Sequence, residues 1–194
     1  MTMYHDSPLV AEGHRIRNAF NGETFIFTHV REDASAFQFD VLLEPGGMQT
    51  GTGMHHVHPF ASEAFTVKSG KLALSIQGEC RILGAGENCV IAAGIPHFFR
   101  NGHAGETLFT ARFTPGQQFL RFFLNMASGT ADHPDWYDER GEPPLLLRAL
   151  ALHHYAGHGY AAAIPIWLQR ALFASLTPFA YLAGYRLSVT QNRQ

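Results

Sequence analysis

The chain has no cluster of basic residues: 14 Lys and Arg stand against 16 Asp and Glu, a net charge of −2 with neutral histidines, spread over 194 residues. Nothing here neutralises a phosphate backbone, so nucleic acid is not an expected partner. Cysteine is nearly absent. Cys80 and Cys89 are the only two, which excludes a disulfide-built scaffold. They flank the turn 84–86, where adjacent strands would make them neighbours, but buried thiols in a reducing compartment are the expected state. The first residues lack the basic, apolar and small-residue order of a secretion signal, so the expected location is cytoplasmic. An uninterrupted apolar run long enough to cross a bilayer is missing too. Residues 164–184 come nearest, yet Pro165, Gln169, Arg170 and Pro178 interrupt them, and a central charge is costly in lipid. A buried or subunit-interface helix is expected there, with membrane-surface attachment as the alternative and no transmembrane span. No internal repeat or low-complexity tract occurs.

What the chain does have is histidine, and four side chains stand out. In an extended strand, residues two apart point to one face, so His56 and His58 aim their imidazoles together while Val57 faces away. Glu63 follows after a four-residue connection, which allows the chain to return a carboxylate from the adjacent strand. His97 comes later, just beyond a turn marked by Gly94 and Pro96. Neutral imidazoles with one carboxylate suit a divalent transition ion, namely Fe, Mn, Co, Ni, Cu or Zn, without selecting among them. One such ion per chain is the expected cofactor.

The spacing of these residues resembles the paired motifs of the cupin superfamily. The first motif reads G-x5-H-x-H-x3-4-E-x6-G, and here His56, His58, Glu63 and Gly70 keep its intervals; the opening glycine is displaced, Gly51 lying one residue too close to His56 and Gly53 closer still. The second reads G-x5-P-x-G-x2-H-x3-N and is met by Gly86, Gly94, His97 and Asn101, with Ala92 in place of the proline. Fifteen residues, 71–85, separate the motifs, which is similar to the compact single-domain bacterial members. The resemblance covers roughly residues 21–115. It implies a mainly β chain: one antiparallel β-barrel of the double-stranded β-helix, or jelly-roll, type.

The pattern of the chain agrees. Residues 23–30 and 36–43 are rich in Phe, Ile and Val, and Phe37, Phe39, Val41 and Leu43 alternate with other residues as in a half-buried strand. Short strands are expected at 64–68, 72–77, 80–83, 88–91, 97–101 and 107–113, punctuated by glycine. If Glu63 points inward, so do Phe65 and Val67, and Phe99 follows His97. These apolar side chains would wall a substrate pocket, with Arg112 as a candidate partner for a substrate carboxylate against its plainer reading as a surface residue. His55 has the opposite parity to the histidine pair and is expected to face away. Asn101 is expected to bind backbone groups near the rim, and Gly70 and Gly94 to need positive φ. His5, His14, His29, His103 and His133 read as surface. His154 and His158, sharing a helix face, could hold adventitious metal but lack a carboxylate or cysteine nearby.

After Pro115 the character changes. Helices are expected at 117–127, 145–155 and about 165–185, so the division is a cupin domain over 1–115 and a C-terminal helical extension over 116–194, docked on the barrel or at a dimer interface. Their apolar surface points to a homodimer. Two functions follow. The first is a metal-dependent enzyme, dioxygenase-like or possessing isomerase chemistry, acting on a small organic substrate; the second is a non-catalytic, metal-stabilised binding or sensing module.

Overall fold

The computed structural model describes residues 8–48 and 55–189. Gly51 and Gly53, the displaced glycines of the first motif, lie outside the described residues, as does His5. Eleven strands and three α-helices are formed among the described residues. They are β1 (His14–Asn18), β2 (Glu23–Phe27), β3 (Phe37–Leu43), β4 (His56–Val57), β5 (Ser62–Ser69), β6 (Lys71–Ile76), β7 (Glu79–Gly84), β8 (Asn88–Ile91), β9 (His97–Asn101) and β10 (Thr107–Thr114). Then come α1 (Phe119–Asp132), α2 (Leu145–His154), β11 (Tyr160–Ala161) and α3 (Ile166–Leu182).

The strands form two antiparallel sheets, one in the order β1-β2-β3-β10-β5-β8 and one in the order β11-β4-β9-β6-β7. Each sheet keeps two edges, and among the described residues no ladder joins them. The expected closed β-barrel, or jelly roll, is therefore corrected to two open sheets stacked face to face. The reason lies in the side chains between them. Phe65 and Phe109 are buried there against Phe99 of β9, and aromatic filling keeps facing sheets about 10 Å apart, whereas edge closure needs strands at about 4.8 Å.

Strand alternation positions these rings. Along β10, Thr107, Phe109, Ala111 and Phe113 are buried while the residues between them are not, and β3 and β5 flank it in register, with Phe39 opposite Ala111 and Phe65 opposite Ala111 from the other side. On the outer face of the same three strands, Asp40 accepts hydrogen bonds from Lys68 Nζ at 2.7 Å and Thr110 Oγ1 at 2.7 Å. Two turns set the register of the second sheet. Gln77 and Gly78, with φ of 52° and 89°, make the two-residue link from β6 to β7, both left-handed as a type I′ turn demands. Gly70 joins β5 to β6 with φ of 80°, and a Cβ there would stand 2.4 Å from the Glu106 carbonyl oxygen.

The helices cover what the sheets leave open. Phe119, Phe122 and Phe123 of α1 continue the aromatic core, Phe119 stacking on Phe113 with ring centres 4.3 Å apart and Phe123 lying 4.5 Å from Phe39. A second cluster joins Val57 of β4 and Tyr160 of β11 to Ala149 of α2 and Phe173 of α3, so α2 and α3 pack behind the second sheet. No helix among the described residues is long and apolar enough to cross a membrane. The two cysteines are free and differ from expectation: Cys89 is buried, but Cys80 is exposed, because β7 is an edge strand with little packed on it.

Candidate metal centre

The register of the second sheet makes His56 and His97 direct partners across β4 and β9. Glu63 reaches them from the first sheet, where it sits between Phe113 of β10 and Ile91 of β8. His58 follows β4 by one residue and is held in line by its carbonyl, which accepts the Gly94 N–H at 2.9 Å. The four side chains thus meet at one end of the stacked sheets. One donor atom from each can be chosen so that all lie within 4.8 Å of one another. His58, Glu63 and His97 are 4%, 3% and 2% exposed, whereas His56 is half-buried.

Hydrogen bonds fix which nitrogens face the cluster. His97 Nδ1–H donates to the Ile95 carbonyl at 2.8 Å, which turns Nε2 toward Glu63 Oε2 at 2.7 Å. His58 Nδ1–H donates to the His158 carbonyl, a residue one hundred positions along the chain. Its Nε2 is buried, 3.3 Å from Glu63 Oε2 but without a hydrogen bond. Metal-ligating imidazoles are oriented in this way, with the far nitrogen bound to a carbonyl so that the near one presents its lone pair.

Burial alone would raise the Glu63 carboxyl, but the imidazoles of His58 and His97 beside it hold it well below the ordinary carboxylate range. Burial likewise works to lower the His97 imidazole, and the Glu63 carboxylate overcomes it, so the His97 value is raised. The 2.7 Å contact between His97 Nε2 and Glu63 Oε2 is the hydrogen bond that a bound cation would replace. Donors around one ion at about 2.0–2.2 Å stand roughly 3 to 4.4 Å apart according to the angle between them, so a set lying within 4.8 Å would draw inward around an ion. With the buried Nε2 of His58, which makes no hydrogen bond, the donor chemistry fits a mononuclear divalent ion.

Aromatic rings enclose the cluster. Phe113 and Phe119 stand edge-on to His58 with ring centres 5.1 and 5.7 Å away, and Phe65 stands edge-on to His97 at 6.3 Å. Of the expected pocket residues, Phe65 and Val67 are buried and face inward, and Phe99, half-buried, lies 5.7 Å from Phe65. Arg112 is not brought to them. It is exposed on the outer face, donating to Gln38 Oε1 at 3.2 Å, because it alternates with the inward-facing Ala111 and Phe113.

Other histidines fall where parity and packing put them. His55 faces away and bonds Ser75 Oγ at 2.9 Å. His103 is tied to Asn101 Oδ1 at 3.1 Å, while the Asn101 amide donates to the carbonyls of Glu44 and Gly105. Gly70 and Gly94 both have positive φ. α2 ends at His154, so His154 and His158 do not share a helix face as the pattern suggested. His158 is instead a buried residue of the following turn, its Nδ1–H bonded to the Tyr155 carbonyl at 3.1 Å and its imidazole pushed down to about 4 by burial. Its link to His58 runs through a backbone oxygen, which every residue type carries, so no sequence signal announces it.

Solved structures similar to this chain include KdgF from Halomonas sp., at 18% identity over 59% of this chain and 99% of that one, with a TM-score of 0.46. Pac13, described as a nucleoside dehydratase and also solved as the Streptomyces protein, shares 20% identity over 59% of this chain and 84% of its own, with a TM-score of 0.43. A sugar phosphate isomerase of the cupin superfamily from Silicibacter pomeroyi shares 21% over 48% and 59%, with a TM-score of 0.41. At these levels the likeness bears on neither substrate nor reaction. Among curated proteins none matches the chain. Residues 39–111, which hold all four clustered side chains, match the sequence model described as a cupin domain.

Proposed function

We propose that the chain is a metal-dependent enzyme, a dioxygenase-like oxidoreductase acting on a small organic molecule beside one divalent ion held by His56, His58, Glu63 and His97. The observation that carries this reading is the convergence of His56, His58, Glu63 and His97, with one donor atom of each within 4.8 Å of the others, in a site where both fully buried imidazoles are already oriented by carbonyls. A bound ion would supply Lewis acidity or oxygen activation, and four protein donors leave one or two positions for substrate or oxygen if it is five- or six-coordinate. Phe65, Val67 and Phe99 exclude water, and Glu63 keeps its negative charge through the working pH range. Arg112, the arginine expected at the pocket, lies exposed on the outer face. A substrate that carries its own oxygen donors on an apolar body, such as a phenol or a diketone, fits these walls better than an anion held by an arginine.

We take residues 1–115 as the module that carries the site and 116–194 as its support. A cytoplasmic homodimer completes the proposal, with α3 as the contact between copies. The second reading, an ion that stabilises a non-catalytic binding module, is favoured by one feature: Phe113 and Phe119 pack directly against His58. Metal analysis of protein purified without added salts, followed by oxygen uptake with Fe(II) and a phenolic or diketone substrate, decides between them. Steady uptake that a chelator abolishes supports the enzyme; an ion bound at full occupancy without turnover supports the module.

A further inference from the structure

We propose that Gln169, a residue of α3 outside the cluster, is a positioning residue for the metal centre: by clamping β11 it holds the His158 carbonyl against His58 Nδ1–H. The proposal rests on the metal-site reading above. Gln169 is 3% exposed, and its side-chain amide spends every polar group on the segment before its own helix. Oε1 accepts the Ala161 N–H at 3.0 Å, and Nε2 donates to the carbonyls of Ala161 at 2.9 Å and Ile164 at 2.7 Å. Reversing the amide would set its N–H groups against the Ala161 N–H, so the orientation is determined.

Only two residues of β11 pair with β4, Tyr160 with Val57 and Ala161 with His56, and the Ala162 N–H adds one bond to the His55 carbonyl at 2.9 Å. So short a strand does not hold itself in place. What secures it is the Gln169 clamp at one end and, at the other, Tyr155, whose carbonyl accepts the N–H and Nδ1–H of His158. Between these anchors the chain passes both ligand positions: Ala161 lies beside His56, and the His158 oxygen meets His58. If the clamp opens, the His158 carbonyl drifts, and the His58 ring is free to place its proton on the nitrogen that must bind the cation. Loss of such an orienting partner typically weakens metal binding by about 10–100-fold.

Coupling of this kind is reciprocal, so a cation that binds better when β11 is docked must hold β11 down by the same factor. The test uses Zn(II) alone on the full chain. Gln169→Leu should weaken Zn(II) binding about tenfold or more and shift the metal-free His58 ring, read by imidazole 15N NMR, away from its Nδ1–H form. Thr177→Val, which removes an equally buried group bonded only within α3, should do neither. In the unmutated protein, Zn(II) should slow exchange of the Ala162 amide more than that of amides in the β6–β7 hairpin. This last measurement decides the matter if Gln169→Leu does not fold. Undiminished Zn(II) affinity in folded Gln169→Leu, or Ala162 exchange that follows the hairpin, overturns the proposal. Failure of the unmutated protein to bind Zn(II), Fe(II) or Mn(II) overturns the metal-site reading itself, and this inference with it.

Discussion

Glu63→Gln is the sharpest single change at the residue scale, because the carboxylate both faces the cation position and sets the charge of His97. Structural zinc sites contribute about 10–16 kcal/mol, roughly 3 kcal/mol per ligand, so this substitution should cost about 100-fold or more in Zn(II) affinity. Its effect on the metal-free protein depends on pH. A depressed Glu63 stabilises the fold above the unfolded carboxyl value of about 4.3, and that contribution is lost as pH falls below it. A raised His97 stabilises the fold below the unfolded imidazole value of about 6.5 and stops doing so as pH rises through its higher folded value. Urea midpoints between pH 3 and 9 should therefore show a plateau bounded by these two losses, and Glu63→Gln should flatten it. Glu23 has the opposite sign. Burial raises its carboxyl to about 7, with only the Asn21 amide opposing, so at pH 8 folding must either protonate the carboxylate or bury a charge that the unfolded chain carries freely. Glu23→Gln should stabilise the protein by roughly 3 kcal/mol at pH 8 and by little at pH 4, as measured by chemical denaturation.

Elements explain why the ligands were readable and their support was not. Three of the four clustered side chains belong to a pattern with short-range logic, two histidines on one face of a strand and a carboxylate one turn later, and His97 comes with its own glycine turn. Inward parity for Phe65 and Val67 also follows from a period of two, and the burial of alternate residues along β5 agrees. The outer strands are different. β1 carries Arg15 and Arg17 around a single buried Ile16, too little apolar surface to announce a strand, and it exists because β2 offers it a partner in register. β11 is two residues long and is defined by what flanks it. Barrel closure fails for the same reason: whether two sheet edges pair is decided by residues far apart in sequence and by the bulk between the sheets, neither of which a local pattern contains. Where local logic does rule, substitution should be severe. Gly70→Ala forces an L-residue into a left-handed conformation and drives a Cβ into the Glu106 carbonyl, so a loss of more than about 2 kcal/mol in unfolding free energy is expected.

The whole molecule presents an uneven surface. Trp167 and Leu182 on α3 are 71% and 84% exposed, and Leu168, Leu172 and Phe179 lie exposed between them, along a helix whose only charge is Arg170. An apolar strip of this kind is what a two-fold contact between copies requires. In light scattering after size exclusion, the chain should run as a dimer, and Trp167→Glu with Leu182→Glu should run as a monomer. Because the same helix carries Gln169, dimer formation and cation affinity should be measured on the same samples. The composition already indicated excess apolar surface beyond residue 115; which face of the helix stays uncovered emerged only once α2 and β11 had claimed the other.

Of the four clustered side chains, only His56 retains contact with the outside. A cation reaching the cluster would pass His56, and His56 would be the residue that meets it on entry and on departure. A chelator too bulky to reach past His56 should strip the protein slowly however tightly it holds the free ion, so residence time and equilibrium affinity need not rise and fall together.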